Sequence, residues 1–298
     1  QKHSAEWETE GTAVYYALSL DQIVLPAGKL IYPYPKLLNA LTHLTWIIEL
    51  FAGFSFFFYR KNYRARLTGI VLLALLHIGI GLMLYVGLFF LVGLATLLPL
   101  LPPFVMDKFD RLLIRTKTGS YISPQRRRKI FAAEYLRQLF LGTIILLCLV
   151  WNISNLPYSG FSIKTSARYF AAVIRIDQNW GMFAPTVFKD DGWYIYEGYL
   201  ADSTVIDLNR DGAPVTYEKP SNVVSLFKND RWRKYSENLL FTGNSYLRPS
   251  FCIYLRNSWN ARHPAQKIGM LKIVYMKEVS LPDYRVSKPV REVLSECQ

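Results

Sequence analysis

The chain has 298 residues, of which 51% are hydrophobic, and it carries a formal net charge of +13 at neutral pH. In a soluble protein such a charge would suggest a nucleic-acid partner, but here much of the basic excess flanks long apolar stretches, where positive charge sets membrane topology. The composition therefore argues against nucleic acid as a partner and for a membrane domain followed by a soluble domain.

Residues 1–35 mix aromatic side chains with prolines, a composition typical of the head-group level of a membrane. The stretch AVYYALSLDQIV, residues 13–24, predicts a short helix that lies in the interface. Lys2 at this membrane edge has two interpretations: a lysine that extends its ammonium to water, or a desolvated lysine that acts as a base. Because the sequence begins at Gln1, we expect transmembrane helices to precede it.

The first complete span is predicted at Lys36–Phe58, and it contains His43 and Glu49. A bare carboxylate in hydrocarbon is too costly to persist. We therefore expect Glu49 to be protonated or hydrogen bonded to Arg137, His77 or His43, in a pairing that holds helices together.

The stretch Leu67–Pro103 is apolar and has no formally charged side chain. It exceeds the ~20 residues that one helix needs to cross a bilayer, so it predicts two short crossings joined by a turn near Tyr85–Gly87. Its ionisable residue is His77. Such a residue could be a base or a ligand, or it could be bonded to a neighbouring helix, and the sequence leaves both interpretations open.

Two basic loops, residues 60–66 and 107–129, flank this hairpin, and a last span is predicted at Ile130–Ser154. The positive-inside rule places both loops in the cytoplasm. Residues 1–35 and the tail after Asn155 then face the periplasm or a lumen. The predicted fold is a helical membrane domain with at least four spans, residues 1–155, and a β-rich domain, residues 156–298.

In the tail, strands are predicted in WYIYEGYLADSTVIDLNRDG (193–212), SFCIYLRNSW (250–259) and MLKIVYMKEV (270–279), and a helix in LFKNDRWRKYSENLLF (226–241). Cys148, Cys252 and Cys297 have neither CxxC spacing nor the pattern of a disulfide framework. The cysteines therefore give no signal of a metal site or of a disulfide framework, and we predict a packing role for Cys148, which lies in an apolar stretch.

Four stretches resemble the horizontally transferred transmembrane (HTTM) family, whose best-known relative is the vitamin K-dependent gamma-carboxylase. They are KHSAEW at residues 2–7 followed by GTAVYYAL, WIIELFAG around Glu49, LLHIGIGLMLYVGLF around His77, and NWGMFAP at residues 179–185. The residues that carry the family motif are Trp7, Trp180, Gly181, Met182, Phe183 and Pro185.

The resemblance implies roles for two residues. Lys2 matches the proposed catalytic base of the carboxylase, and His77 matches a functional histidine on the corresponding helix. A carboxylase-like enzyme would act on a quinone-like lipid, such as a vitamin K-like hydroquinone, or on an exported polypeptide. The carboxylase carries a histidine-rich stretch near the position of Trp180, and this chain does not.

Two functions therefore compete. The first is a non-catalytic or accessory subunit, whose helices pack against another membrane protein and whose tail docks on that protein's soluble parts. The second is the carboxylase-like enzyme, with Lys2 as base and His77 as its partner in a cavity. The missing histidine-rich stretch favours the subunit.

Overall fold

A computed structural model of the protein describes residues 4–56, 63–113, 131–156, 159–177 and 183–298. These residues form two compact units. Of the described residues, those between 4 and 102 and those between 186 and 298 belong to one unit, and those between 103 and 185 belong to the other. The first unit therefore contains both the N-terminal helices and the C-terminal sheet.

The first unit begins with three short helices, α1 to α3, and continues with three apolar ones, α4 to α6. Their bounds are Ala5–Glu8, Ala13–Ser19, Pro26–Ile31, Pro35–Ser55, Tyr63–Met83 and Phe89–Leu97. Pro26 and Pro35 occupy the first turns of α3 and α4, where the missing amide hydrogen of proline costs nothing. The short helix predicted within residues 13–24 is confirmed by α2.

The stretch Leu67–Pro103 forms the predicted hairpin. Helix α5 ends at Met83, the chain turns over residues 84–88, and α6 continues into a 3₁₀ helix at Leu98–Leu100. The arms meet again at the open end, where Arg66 Nε donates a hydrogen bond of 2.6 Å to the Leu100 carbonyl. A guanidinium at this carbonyl satisfies the C-terminal end of the second arm.

In the second unit, the described residues form the helices α7 at Pro103–Leu113, α8 at Phe131–Ser154 and α9 at Thr165–Val173. Across the described residues, three helices are long and apolar enough to cross a membrane, namely Pro35–Ser55, Tyr63–Met83 and Glu134–Ser154. The return arm of the hairpin, Phe89–Leu100, is a shorter apolar helix. The N-terminal half of the chain is therefore helical and suited to a membrane, as predicted.

The tail folds into an antiparallel sheet of five strands in the order β3-β2-β1-β4-β5. The strands are Asp190–Leu200, Val205–Asp207, Ala213–Pro214, Ile268–Val279 and Val290–Cys297. Helices α10, Asp230–Leu240, and α11, Leu247–Arg262, follow β3 in the chain. This confirms the predicted strands at residues 193–212 and 270–279 and the predicted helix within residues 226–241.

Both faces of the sheet are covered, because alternate residues of the central strands enter different apolar clusters. Tyr194 and Tyr196 pack under Phe251 and Trp259 of α11. Trp193 and Ile195 point to the other face, where Val223 and its neighbours cover them. The central strands are therefore buried on both sides.

The strand predicted at residues 250–259 is wrong, because this segment belongs to α11. The buried side chains of the segment, Phe251, Cys252 and Trp259, are spaced as on one face of a helix, with the partly buried Leu255 between them. The segment also alternates over a few residues, and that local pattern led to the strand prediction.

The spacing of the cysteines carries no signal of a disulfide that the structure contains. Cys252 of α11 and Cys297 of β5 form a disulfide across a sequence separation of 45 residues, and Cys148 is free. A single pair so far apart has no recognisable spacing, since only the fold brings α11 beside the edge strand. The bond ties the helical layer to the edge of the sheet.

Candidate functional site

His77, the ionisable residue of the hairpin, lies between the two arms. Its Nδ1 donates to the Leu73 carbonyl at 2.8 Å, one helical turn earlier. Its ring stacks on Phe89, with ring centroids 5.8 Å apart. A Cβ atom added at Gly93 of α6 would overlap the imidazole ring. The glycine therefore lets the arms approach closely, and the partly buried imidazole is covered on the sides of Phe89 and Gly93.

The other predicted intramembrane polar residues belong to helices α4 and α8. His43 of α4 faces the turn at Gly11, where an added Cβ would come within 2.8 Å of its Nε2. Glu49 is exposed on α4. Arg137 of α8 forms an ion pair of 2.6 Å with Glu134 on the same helix. The proposed pairing of Glu49 stays a prediction.

The residues of the family motif divide between described and undescribed parts of the chain. Trp7 lies in α1 and is buried. Phe183 is half-buried and Pro185 is exposed. The remaining predicted residues lie outside the described residues: Lys2, Trp180, Gly181 and Met182.

A junction that the sequence did not predict joins the N-terminal segment, the hairpin turn and the sheet. The Tyr85 amide donates to the Ile23 carbonyl at 2.6 Å, and the Leu25 amide donates to the Met83 carbonyl at 2.8 Å. These bonds pair residues around Val24 with residues around Leu84 as a short antiparallel bridge. The segment after α2 is thereby fixed to the tip of the hairpin.

The same segment is also fixed to the first strand of the sheet through Asp191. This carboxylate is 1% exposed and accepts hydrogen bonds from the backbone amides of Asp21 at 2.6 Å and Gln22 at 3.4 Å. Burial raises the pKa of Asp191 from its ordinary value of 3.8 to about 6, although hydrogen bonds from the backbone amides of Asp21 and Gly192 oppose the shift. A buried carboxyl thus connects β1 to the segment that carries α2.

Lys219 completes the junction as its central cation. Its ammonium lies 2.6 Å from Asp21 Oδ2 and also pairs with Glu278 of β4. Burial alone would lower the pKa of Lys219, but the hydrogen bonds to these two carboxylates raise it. Lys29 of α3 adds a second and more exposed ammonium, 3.1 Å from Asp21 Oδ1.

The three carboxylates of this junction offer oxygens within 4.8 Å of one another: Asp21, Asp191 and Glu278. Oxygen donors of this type could hold a hard divalent cation. Lys219 supplies positive charge at the same place, so the observed arrangement is a compensated ion cluster. This ion cluster can hold three separate segments of the chain together.

Two further contacts extend the junction on either side. Lys189 pairs with Glu6 of α1 at 2.9 Å and lies 4.5 Å from the centroid of the Tyr16 ring. The Tyr15 hydroxyl donates to the Leu281 carbonyl at 2.6 Å and accepts from the Tyr284 amide at 3.0 Å. The N-terminal helices therefore dock on Lys189, just before β1, and on the turn between β4 and β5.

A second buried carboxylate lies within the sheet. Glu197 is 1% exposed and accepts from the hydroxyls of Tyr199 and Tyr217 at 3.1 and 2.8 Å. Arg291 of β5 donates to both of its oxygens, at 2.9 and 3.0 Å. Both carboxylate oxygens of Glu197 therefore have hydrogen-bond donors within the protein, as expected for a buried charge with a structural role.

Sequence reasoning missed the junction because its members are far apart in the chain; Asp21 and Asp191 are separated by 170 residues. Two residues of the junction do carry a recognisable signal in the sequence. Asp191 lies at the start of an aromatic strand and Glu278 lies near the end of another, and a charged residue inside a buried strand needs a partner. The identity of that partner is set by tertiary structure alone.

No protein-family model matches the chain, and no characterised protein and no solved structure does so either.

Proposed function

We propose that this protein is a multi-pass membrane protein of the HTTM family that serves as a non-catalytic subunit of a membrane complex. The observation that carries the proposal is the packing around His77. A catalytic or ligand-binding histidine needs room for its substrate within hydrogen-bond distance. Here Phe89 stacks on the ring and Gly93 lies against it.

The same contacts account for a histidine inside the hairpin without assigning it a catalytic role. Its Nδ1 bond to the Leu73 carbonyl satisfies one polar atom inside the helix, and the glycine opposite accommodates the ring. A polar side chain that packs between two arms of a hairpin stabilises their association. His77 is in this proposal a packing residue.

The junction supports the proposed topology. The N-terminal segment, the hairpin tip and the sheet are held together by direct bonds, so these three parts lie at one end of α4 and α5. Arg64 and Arg66 lie at the opposite end of α5, where the hairpin closes between Arg66 and Leu100. With positive charge on the cytoplasmic side, the sheet faces the periplasm or a lumen.

The disulfide gives this orientation separate support. A bond between Cys252 and Cys297 forms and persists in an oxidising compartment and is rare in the cytosol. In the proposed arrangement the return arm, Phe89–Leu100, is a fourth and shorter crossing, closed by Arg66. The partners are the lipid bilayer and at least one other membrane protein, with no nucleic acid.

Purification of the full chain in mild detergent, followed by mass analysis of bound proteins and lipids, tests the subunit. We expect a stoichiometric protein partner, retained by a variant with His77→Leu because the ring only packs. A lone chain that carries a stoichiometric quinone would instead support the carboxylase-like enzyme, with Lys2 as base and a hydroquinone as substrate.

Single-cysteine labelling in intact cells tests the topology. In a Cys148→Ala background, Tyr246→Cys probes the sheet domain, where Tyr246 is 71% exposed, and Arg64→Cys probes the opposite end of α5. A membrane-impermeant maleimide should label position 246 without inner-membrane permeabilisation and position 64 only after it. The reverse pattern would overturn the proposed orientation.

A further inference from the structure

Helix α9 packs against its own unit through one side. Ala171 is 4% exposed, and the Arg168 guanidinium lies 5.7 Å from the ring centroid of Trp151. Trp151 is itself buried and belongs to the last turn of α8, the final membrane-length helix. The contact fixes α9 at the end of α8.

The opposite side of α9 presents apolar side chains without cover. Tyr169, Phe170 and Val173 are 72%, 59% and 79% exposed. An α-helix turns by about 100° per residue, so these three side chains project within an arc of roughly 100° on the side opposite Ala171. A helix of nine residues thus has one anchored side and one apolar face turned away from its own unit.

The surroundings of this face match the chemistry of a membrane surface. Near the end of α8, Leu149, Ile153 and Leu156 are exposed apolar side chains as well. Lys164, Arg168 and Arg175 surround the helix with positive charge. An aromatic and aliphatic face bordered by basic residues, at the end of a spanning helix, is the composition of an interfacial segment.

We propose that α9 is an interfacial helix that inserts Tyr169, Phe170 and Val173 into the leaflet at the Ser154 end of α8. Its basic residues then lie at the level of the lipid phosphates, and Trp151 and Arg168 hold the helix at that depth. This inference rests on the proposed membrane function and adds a second type of membrane contact to it.

Spin labels on the full chain test the inference in vesicles of phosphatidylcholine and phosphatidylglycerol. In the Cys148→Ala background, Val173→Cys carries the label in α9, Leu146→Cys carries a reference label in the span, and Tyr246→Cys carries one on the sheet. Leu146 is 60% exposed and lies within α8. The accessibilities to molecular oxygen and to a nickel chelate report depth.

The ratio of oxygen to nickel accessibility at position 173 should exceed that at 246 and remain below that at 146. A ratio at 173 equal to that at 246 would overturn the proposal, since the face would then lie in water. Protection of position 173 from both reagents would also overturn it, because another protein surface would cover the face. An aqueous signal at 146 would instead refute the membrane span itself.

A second measurement separates insertion from mere proximity. Phe170→Asp keeps α9 on its anchored side but places a charge on the inserted face. The label at position 173 should then move toward the aqueous ratio while the label at 146 stays unchanged. An unchanged ratio at 173 would contradict insertion of this face.

Discussion

The apolar helices and the sheet use similar side chains in opposite ways. In the three membrane-length helices, between 6% and 22% of the residues in each apolar window are buried within the protein. In β1, by contrast, the run Asp191–Gly198 is buried throughout. The helices turn leucines outward, as with Leu75 and Leu82 at 59% and 60% exposure, whereas the sheet covers both of its faces.

This difference is the one expected if, as proposed, lipid surrounds the helices and water surrounds the sheet. Apolar side chains that remain exposed in water forgo the free energy of burial, about 25 cal/mol per Å². The sheet gains that free energy internally, because it is covered on one face by α10 and α11 and on the other by residues near Val223. The helices gain it only when lipid covers them. Truncation of an apolar side chain should therefore have different costs in the two regions.

The largest effect is expected for Trp193→Ala. Trp193 is 0% exposed, so its truncation should lower the free energy of unfolding by ~3–5 kcal/mol, the cost of a cavity in a packed core. Leu75→Ala is the matched change on the outward face of α5, and it should cost far less because the detergent or lipid adapts to the smaller side chain. Denaturant unfolding in detergent, followed by fluorescence, measures both. Equal costs would refute the contrast between the regions.

The second-largest effect is expected from loss of the disulfide in the sheet region. Replacing Cys252 and Cys297 by serine should lower the free energy of unfolding by about 2–4 kcal/mol, since the bond closes a long loop in the unfolded chain. Cys148→Ser, on α8, is the control and should have little effect. A mobility shift between oxidised and reduced wild-type protein from cells checks that the bond forms in vivo. Its absence from freshly prepared membranes would argue against an oxidising compartment.

The sequence predicted best the features that local pattern controls. The charge-free run Leu67–Pro103 predicted a hairpin, because its length exceeds one crossing and glycine lies at its tip. The aromatic and β-branched content of β1 and the alternating character of β4 predicted strands for a similar reason. These elements need no knowledge of the rest of the fold.

The features that the sequence did not predict depend on contacts between residues that are distant in the chain. Residues 250–259 were predicted as a strand, because a short segment does not reveal which of its apolar residues will meet the sheet. The Cys252–Cys297 bond and the Asp21–Asp191–Glu278–Lys219 junction depend on segments that only the tertiary structure brings together. For His77 the sequence supplied the residue and the depth, but the filled space at Gly93 became visible only when the arms were paired.

The junction where the two regions meet offers a matched pair of lysines. Lys219→Met removes the cation between Asp21 and Glu278 and should lower the free energy of unfolding by roughly 2–3 kcal/mol, because it leaves the buried Glu278 uncompensated. Lys29→Met removes the more exposed ammonium from the same Asp21, and it should cost less than about 1 kcal/mol. Thermal or denaturant unfolding in detergent compares them, and similar costs would mean that the junction is an ordinary surface cluster.

The smallest effect concerns the pH dependence of Asp191. Its pKa is raised by burial from 3.8 to about 6, so the folded state binds a proton more tightly than the unfolded state. The resulting penalty is present above pH 6 and is relieved as the pH falls toward 3.8. Relative to Asp191→Asn, the wild type should therefore be more stable at pH 4 than at pH 7, by roughly 2 kcal/mol.

Asp190→Asn is the control for this measurement, because Asp190 is the neighbouring residue on β1 but is exposed and pairs with Lys277 at 3.3 Å. The free energy of unfolding of the Asp190→Asn variant should depend on pH in the same way as that of the wild type. The groups around Asp191 are Asp21, Lys219, Tyr275 and Glu278, and protonation of Asp191 leaves Lys219 paired with two carboxylates. Mild acid should therefore tighten the junction between helices and sheet. A wild type that loses stability between pH 7 and pH 5 relative to Asp191→Asn would show that Asp191 is instead stabilised as an anion.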